Sequence, residues 1–171
     1  MLYLKKVNLE DIEEEYQAIR QMPKNENGFE NEFYDVSKED FKNIVIPKLL
    51  RNSEGLDLKE GYVPQTYYFL WDDMKIVGLF KLRHCLNDFL RNGPGHIGYG
   101  ILPEYRGKGY ATTGLNLAIE EASKIVPEDE LYFSVHKDNP ASLKVQQNCG
   151  AYITGESKDG KEYLTRIKIK K

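Results

Sequence analysis

Apolar and polar positions along this chain fall into blocks whose period changes, and each block predicts an element. Residues 2–7 read as a first strand. Asn8 with Asp11 three residues on has the spacing of a capping box, and Ile12, Tyr16 and Ile19 then recur at helical intervals until Met22-Pro23 stops them. Residues 25–35 have no period and mix acids with aromatics. Ser37 and Asp40 predict a second N-cap, followed by Phe41, Ile44, Val45 and Leu49 at helical spacing. Pro47 interrupts that pattern and predicts a kink or an early end. Residues 52–65 form a polar connection containing Gly55, Gly61 and Pro64.

The second half is more strongly patterned. Residues 66–71 are β-branched and aromatic and read as a strand, with a turn at 72–75 and a hairpin partner at 76–82. Residues 86–95 read as a loop and 96–102 as the next strand. Ala111, Leu115, Ala118, Ile119, Ala122 and Ile125 then lay one apolar face along a long helix. A strand at 131–135 precedes a short helix that Asp138 or Asn139 caps, with Pro140 in its first turn and Gly150 after its end. Residues 152–156 and 162–169 predict a last hairpin about 158–161. By pattern alone this is one α+β domain over residues 1–171, without repeats.

Composition narrows the classes. The 171 residues are 40% hydrophobic and 30% charged with a net charge of −3, ordinary for a soluble domain. No basic face dominates, so nucleic acid is not the expected partner, and the basic residues near the C-terminus read as a solvated tail. Cys85 and Cys149 make no disulfide framework and read as small buried hydrophobes. No His/Cys cluster has metal-ligand spacing, so no metal is expected. No signal-peptide core and no apolar run of bilayer length is visible, so the expectation is a cytoplasmic, reduced protein without a membrane partner.

The most informative segment is Arg106-Gly107-Lys108-Gly109-Tyr110-Ala111, between the 96–102 strand and the long helix. A glycine-rich turn there exposes several backbone N–H groups beside the positive end of a helix, which suits a diphosphate. It is neither the G-x-x-x-x-G-K-[ST] loop nor the G-x-G-x-x-G fingerprint. It resembles motif A of the GNAT superfamily of N-acetyltransferases, [RQ]-x-x-G-x-[GA]. A second segment, His136-Lys137-Asp138-Asn139-Pro140-Ala141-Ser142 followed by Val145 and Gly150-Ala151, is similar to motif B of that family, with Asn139, Ser142, Val145 and Gly150 at matching positions. Asn139 also reads simply as a helix cap. The order of predicted elements is that of the same family over nearly the whole chain.

The resemblance implies an α+β (mixed α/β, three-layer) fold: a central, mostly antiparallel sheet of six to seven strands with about four helices around it. It implies acetyl-CoA as cosubstrate, with Arg106, Gly107, Lys108, Gly109, Tyr110 and Ala111 around the pyrophosphate. It places Asn139 and Ser142 on the same ligand. It also implies a backbone N–H at Ile101 or Leu102 that polarises the acetyl carbonyl.

The reaction expected is direct transfer to a primary amine in a ternary complex. His96 is the leading base, because its ordinary pKa near 6.5 suits an ammonium and because its strand runs beside the acetyl group in the family. Tyr99 is a second candidate, as proton donor or acceptor contact. His84 is a candidate for a water relay. One departure stands out: Gln146 occupies the place where many members carry a Tyr thought to protonate the leaving thiolate.

The acceptor is expected against the segment between the first two helices, where Phe29, Glu30, Glu32, Phe33 and Tyr34 put aromatics beside carboxylates. That combination suits a cationic amine, on a small molecule or a peptide. Two other readings stay open: an acyl-CoA-binding sensor or interaction module of the same fold with weak or no catalysis, and a generic phosphate-binding domain. The final hairpin is a candidate homodimer surface.

Overall fold

A computed structural model describes residues 1–26 and 29–171; residues 27 and 28, within the aperiodic 25–35 stretch, lie outside it. The chain runs β1 (Leu2–Lys6), α1 (Ile12–Gln21), a short ribbon of β2 (Asn25–Glu26) and β3 (Phe29–Glu30), and α2 (Lys38–Asp40). A π-helical turn (Phe41–Val45) then leads into α3 (Ile46–Ser53), followed by β4 (Gln65–Asp72), β5 (Lys75–Arg83), α4 (Asp88–Arg91) and β6 (Ile97–Ile101). After a 3-10 turn (Pro103–Tyr105) come α5 (Tyr110–Ile125), β7 (Glu130–His136), α6 (Pro140–Asn148), β8 (Tyr152–Glu156) and β9 (Glu162–Lys168).

Two antiparallel sheets result, β1-β4-β5-β6 and β7-β9-β8, beside the β2-β3 ribbon. Among the described residues a single bridge, Gly95 to Phe133, joins β6's leading end to β7. β4 is buried along almost its whole length because helices cover both faces of its sheet. Tyr67, Phe69 and Trp71 pack toward α1 and α3 with Ile19, Phe41 and Ile46. Tyr68, Leu70, Phe80 and Leu82 pack toward α5 with Leu115 and Ala118. A Cβ at Gly114 would come within 2.6 Å of the Phe80 ring, so α5 lies close on the sheet only because that position has no side chain.

Three details depart from the pattern reading. The 25–35 stretch holds the β2-β3 ribbon. Pro47 does not end its helix: helical backbone runs on from Lys38 to Ser53, with Pro47 in the first turn of α3. The π-helical turn just before it, closed by the Ile46 N–H on the Phe41 carbonyl, absorbs the change of register. The 86–95 loop contains α4, capped by Asn87, whose side chain accepts the Leu90 N–H at 2.9 Å. No helix among the described residues is long and apolar enough to cross a membrane.

Candidate active site

The two sheets are joined where β6 begins and diverge along it, and the divergence opens a cleft of about 820 Å³. Strand register shows what faces the opening. The Leu102 N–H donates to the Val77 carbonyl at 2.8 Å and the Arg83 N–H to the His96 carbonyl at 2.7 Å. In an antiparallel ladder this commits residues 96, 98, 100 and 102 to β5, so the N–H groups of Ile97, Tyr99 and Ile101 point into the gap toward β7. Of the two candidate donors, the Ile101 N–H faces the gap and the Leu102 N–H does not. Leu102 is buried and its N–H belongs to the sheet.

The glycine-rich loop forms one end of the cleft. Gly107 and Gly109 both have positive φ, +76° and +81°, which turns the chain sharply into α5. Among the described residues no protein acceptor meets the N–H groups of Gly107, Lys108 or Gly109, and the first N–H groups of α5 are free by helix geometry. These donors converge at the N-terminus of a sixteen-residue helix, a setting that fits a diphosphate. Arg106 ties the loop down: its Nε donates to the Ile101 carbonyl at 3.1 Å, and its guanidinium pairs with Glu26 of β2. Tyr110 and Ala111 also line the cleft, whereas the Lys108 side chain turns back over the Tyr105 ring.

α6 contributes a wall of the cleft. The Asn139 side chain accepts the Ser142 N–H at 3.3 Å, so it is a helix cap as well as a cleft residue. The Tyr99 hydroxyl lies 2.9 Å from Ser142 Oγ, and its ring stacks on Phe80. Burial pushes the Tyr99 phenol up, so it holds its proton. Gln146 is buried and receives the Thr165 hydroxyl at 2.6 Å, which pins α6 to β9. It also lines the cleft and reaches the Tyr99 hydroxyl, at the place where the family's Tyr would stand.

His96 is not placed as a base. It is fully buried and lies outside the cleft. Its Nδ1 accepts the Tyr132 N–H at 2.9 Å, which requires an unprotonated Nδ1. Nε2 then carries the proton and donates to Glu128 at 2.7 Å. Desolvation holds its pKa below the ordinary value, against the pull of Glu128. Neither nitrogen is available to an amine; the residue joins two strands. His84, the candidate for a relay, bonds the Thr66 hydroxyl at 2.7 Å and also lies outside the cleft.

On the acceptor side Phe29, Glu30 and Glu32 line the cleft. Phe33 does not: its ring packs 6.0 Å from that of Tyr67 in the core. Tyr34 does not either, because it faces solvent away from the opening. The residues that sequence reading missed are Lys81 and Arg83, on the floor of the same space. The signal was present as two cations two positions apart after the apolar run Ile76–Phe80. Among the described residues no group of three His, Cys, Asp or Glu side chains gathers as a metal site would require.

Comparison with known proteins decides the family. A family model described as an acetyltransferase (GNAT) domain matches residues 1–152. The chain belongs to the GNAT acetyltransferase family. No curated protein matches it. Solved structures of the family share its fold. A GNAT-family acetyltransferase from Streptococcus pneumoniae is similar at 17% identity, over 99% of this chain and all of that one, with a TM-score of 0.67. The microcin C7 self-immunity acetyltransferase MccE, solved with acetyl-CoA and AMP, is similar at 19% identity over 98% and 92%, with a TM-score of 0.69. The spermidine N-acetyltransferase from Vibrio cholerae, solved with CoA and spermine, is similar at 19% over 98% and 95%, with a TM-score of 0.61. In this GNAT chain the cleft between the sheets and the glycine-rich loop are therefore features of an acetyltransferase fold.

Proposed function

We propose that this chain is an acetyl-CoA-dependent N-acetyltransferase that passes the acetyl group directly to an amine. The observation that carries the reading is one continuous cleft. It runs from the free amides of Gly107 to Gly109, past the inward-facing N–H of Ile101, to the β2-β3 ribbon. The loop amides and the start of α5 would hold the pyrophosphate. The Ile101 N–H would donate to the thioester carbonyl oxygen as it gains negative charge. The amine attacks in its neutral form, its ammonium proton having passed to water at the mouth of the cleft. As its nitrogen bonds to the acetyl carbon and the C–S bond breaks, the thiolate takes the Tyr99 hydroxyl proton, and water carries the surplus proton of the nitrogen back to Tyr99. Tyr99 thus takes the role that the family's motif B Tyr would have at position 146. The working location consistent with this chemistry is the cytoplasm.

A second reading, acyl-CoA binding without transfer, draws on Gln146 being committed to Thr165. The test is a thermal shift of the purified protein with acetyl-CoA, CoA and ATP, followed by thiol release over a panel of amines. A ligand that binds only the folded state raises its apparent stability. Stabilisation by acetyl-CoA and CoA but not ATP, with turnover, is the expected result. No shift at saturating acetyl-CoA overturns the proposal, and a shift without turnover on any amine favours the second reading.

A further inference from the structure

β5 sends two cations into the acceptor half of the cleft. Lys81 and Arg83 alternate with Phe80 and Leu82, so both project toward the β2-β3 ribbon while their neighbours pack under α5. Lys81 is only 8% exposed. Its ammonium donates to the Glu30 carbonyl at 2.8 Å and lies 4.7 Å from the Phe29 ring and 5.4 Å from the Tyr67 ring. Arg83 is half-buried, and its Nη1 donates to the Gly95 carbonyl at 3.1 Å. Among the described residues neither cation has a carboxylate within ion-pair distance; both find only backbone oxygens.

That arrangement is unusual energetically. A buried cation is ordinarily matched by a carboxylate, because desolvating it alone is expensive. Of the carboxylates lining this cleft, Glu26 pairs with Arg106, Glu162 lies 3.6 Å from His136, Glu30 is exposed, and Glu32, which accepts the Tyr67 hydroxyl at 3.4 Å, acts on Lys81 and Arg83 through space without closing an ion pair. The space has an acidic lip and a basic floor. Above the floor β6 contributes Gly98, directly across from Lys81, and no side chain stands between that strand and a ligand.

We propose that the acceptor is an amine carrying its own oxyanion, a carboxylate or a phosphate, and that Lys81 and Arg83 receive that oxyanion on the cleft floor. The proposal rests on the acetyltransferase reading above. The guanidinium supplies a planar fork and the ammonium a point charge, a pairing suited to either oxyanion. The carboxylate lip then faces the ammonium end of the same molecule. A polyamine would meet two like charges on the floor instead.

The experiment uses the full chain and matched pairs of amines. One arm compares amino acids with their amides and decarboxylated amines. A second compares O-phosphoethanolamine with ethanolamine, and spermidine is the polycation. Thiol release gives kcat/KM. Ligand-observed NMR gives binding of the N-acetylated acids and their neutral counterparts to the CoA complex. The expected result is at least a roughly tenfold preference for the anionic member of one arm, lost in Lys81→Met and in Arg83→Gln through a raised acceptor KM. The arm showing the preference tells carboxylate from phosphate. A CoA-induced thermal shift in both variants reports that they are folded. Equal or better turnover of neutral amines or spermidine overturns the proposal. So does the absence of both binding and turnover for every anionic member. Loss of acetyl-CoA binding itself would instead remove the acetyltransferase reading, and this proposal with it.

Discussion

Nδ1 of His96 accepts the backbone N–H of Tyr132 at 2.9 Å, and this bond makes the imidazole a fastener between β6 and β7. With Nε2 on Glu128 and the His96 N–H on the Tyr132 carbonyl at 2.8 Å, three bonds close the sheets just before they diverge. His96→Gln is expected to destabilise the fold by about 2–3 kcal/mol, as loss of a buried hydrogen-bond network does. The folded protein keeps this ring neutral with a depressed pKa, whereas the unfolded chain takes up a proton near pH 6.5. Below that pH the unfolded state binds the extra proton, so stability falls on acidification, and the glutamine variant lacks that component. Denaturant unfolding of both proteins at pH ~5 and ~7.5 checks this. A folded, fully stable but inactive variant would restore the catalytic role.

Lys81→Met should stabilise the protein at neutral pH by about 1 kcal/mol, because it removes a desolvated charge while keeping the aliphatic stem. Burial brings the Lys81 pKa down to about 8 from 10.5. Between those values the unfolded chain holds a proton that the folded one has released, so wild-type stability gains as pH rises from about 8 toward 10.5. Thermal melts of the two proteins across that window should converge at its upper end. A less stable methionine variant throughout would mean that the cation is already satisfied.

Tyr99→Phe keeps the ring stacked on Phe80 and removes only the hydroxyl. Turnover should drop by about 10- to 100-fold through kcat, with the acetyl-CoA KM nearly unchanged. Stopped-flow single turnovers would separate chemistry from product release. An unchanged single-turnover rate would remove Tyr99 from the proton path.

Gly109→Ala places a Cβ at φ +81°. The expected penalty is about 1 kcal/mol of stability together with a weaker acetyl-CoA complex, since the turn that aims the loop amides must relax. Calorimetric titration with CoA measures it; wild-type affinity would show that the turn does not position those amides.

Glu15 is fully buried on α1, where its carboxylate accepts the Asn8 N–H at 3.1 Å. Desolvation raises its pKa from 4.5 to about 8. The folded state therefore holds a proton over that range that the unfolded state lacks, and stability declines as pH climbs from about 4.5 to about 8. Glu15→Gln retains an acceptor oxygen and should flatten the decline, with a gain of about 1–2 kcal/mol near pH 8. Melts at pH ~5 and ~8 that move in parallel for the two proteins would count against it.

What could be read from the sequence was what depends on local period and turn chemistry. The α5 stripe, the capping by Asn139 and the glycine turn before Tyr110 were all legible, because each is encoded within a few residues. The β2-β3 ribbon was not, since two-residue strands carry no period. His96 was misassigned for a physical reason: the partners that neutralise its ring, Tyr132 and Glu128, lie more than thirty residues away. The same holds for Leu102, whose N–H direction depends on pairing with Val77. Lys81 and Arg83 looked like ordinary strand charges until the opposing ribbon came over them.

Gly98 and Gly100 leave the acceptor face of β6 bare backbone. A Cβ at Gly100 would touch Met22 and Phe29 at 3.4–3.5 Å, ordinary van der Waals contact, whereas one at Gly98 meets nothing within 4 Å. A side chain at position 100 would lie against Met22 and Phe29, whereas one at position 98 would stand free in the bore of the chamber and narrow it. One side chain added at position 98 would therefore narrow the acceptor half for slimmer amines and leave the glycine-rich loop at the acyl-donor end as it is.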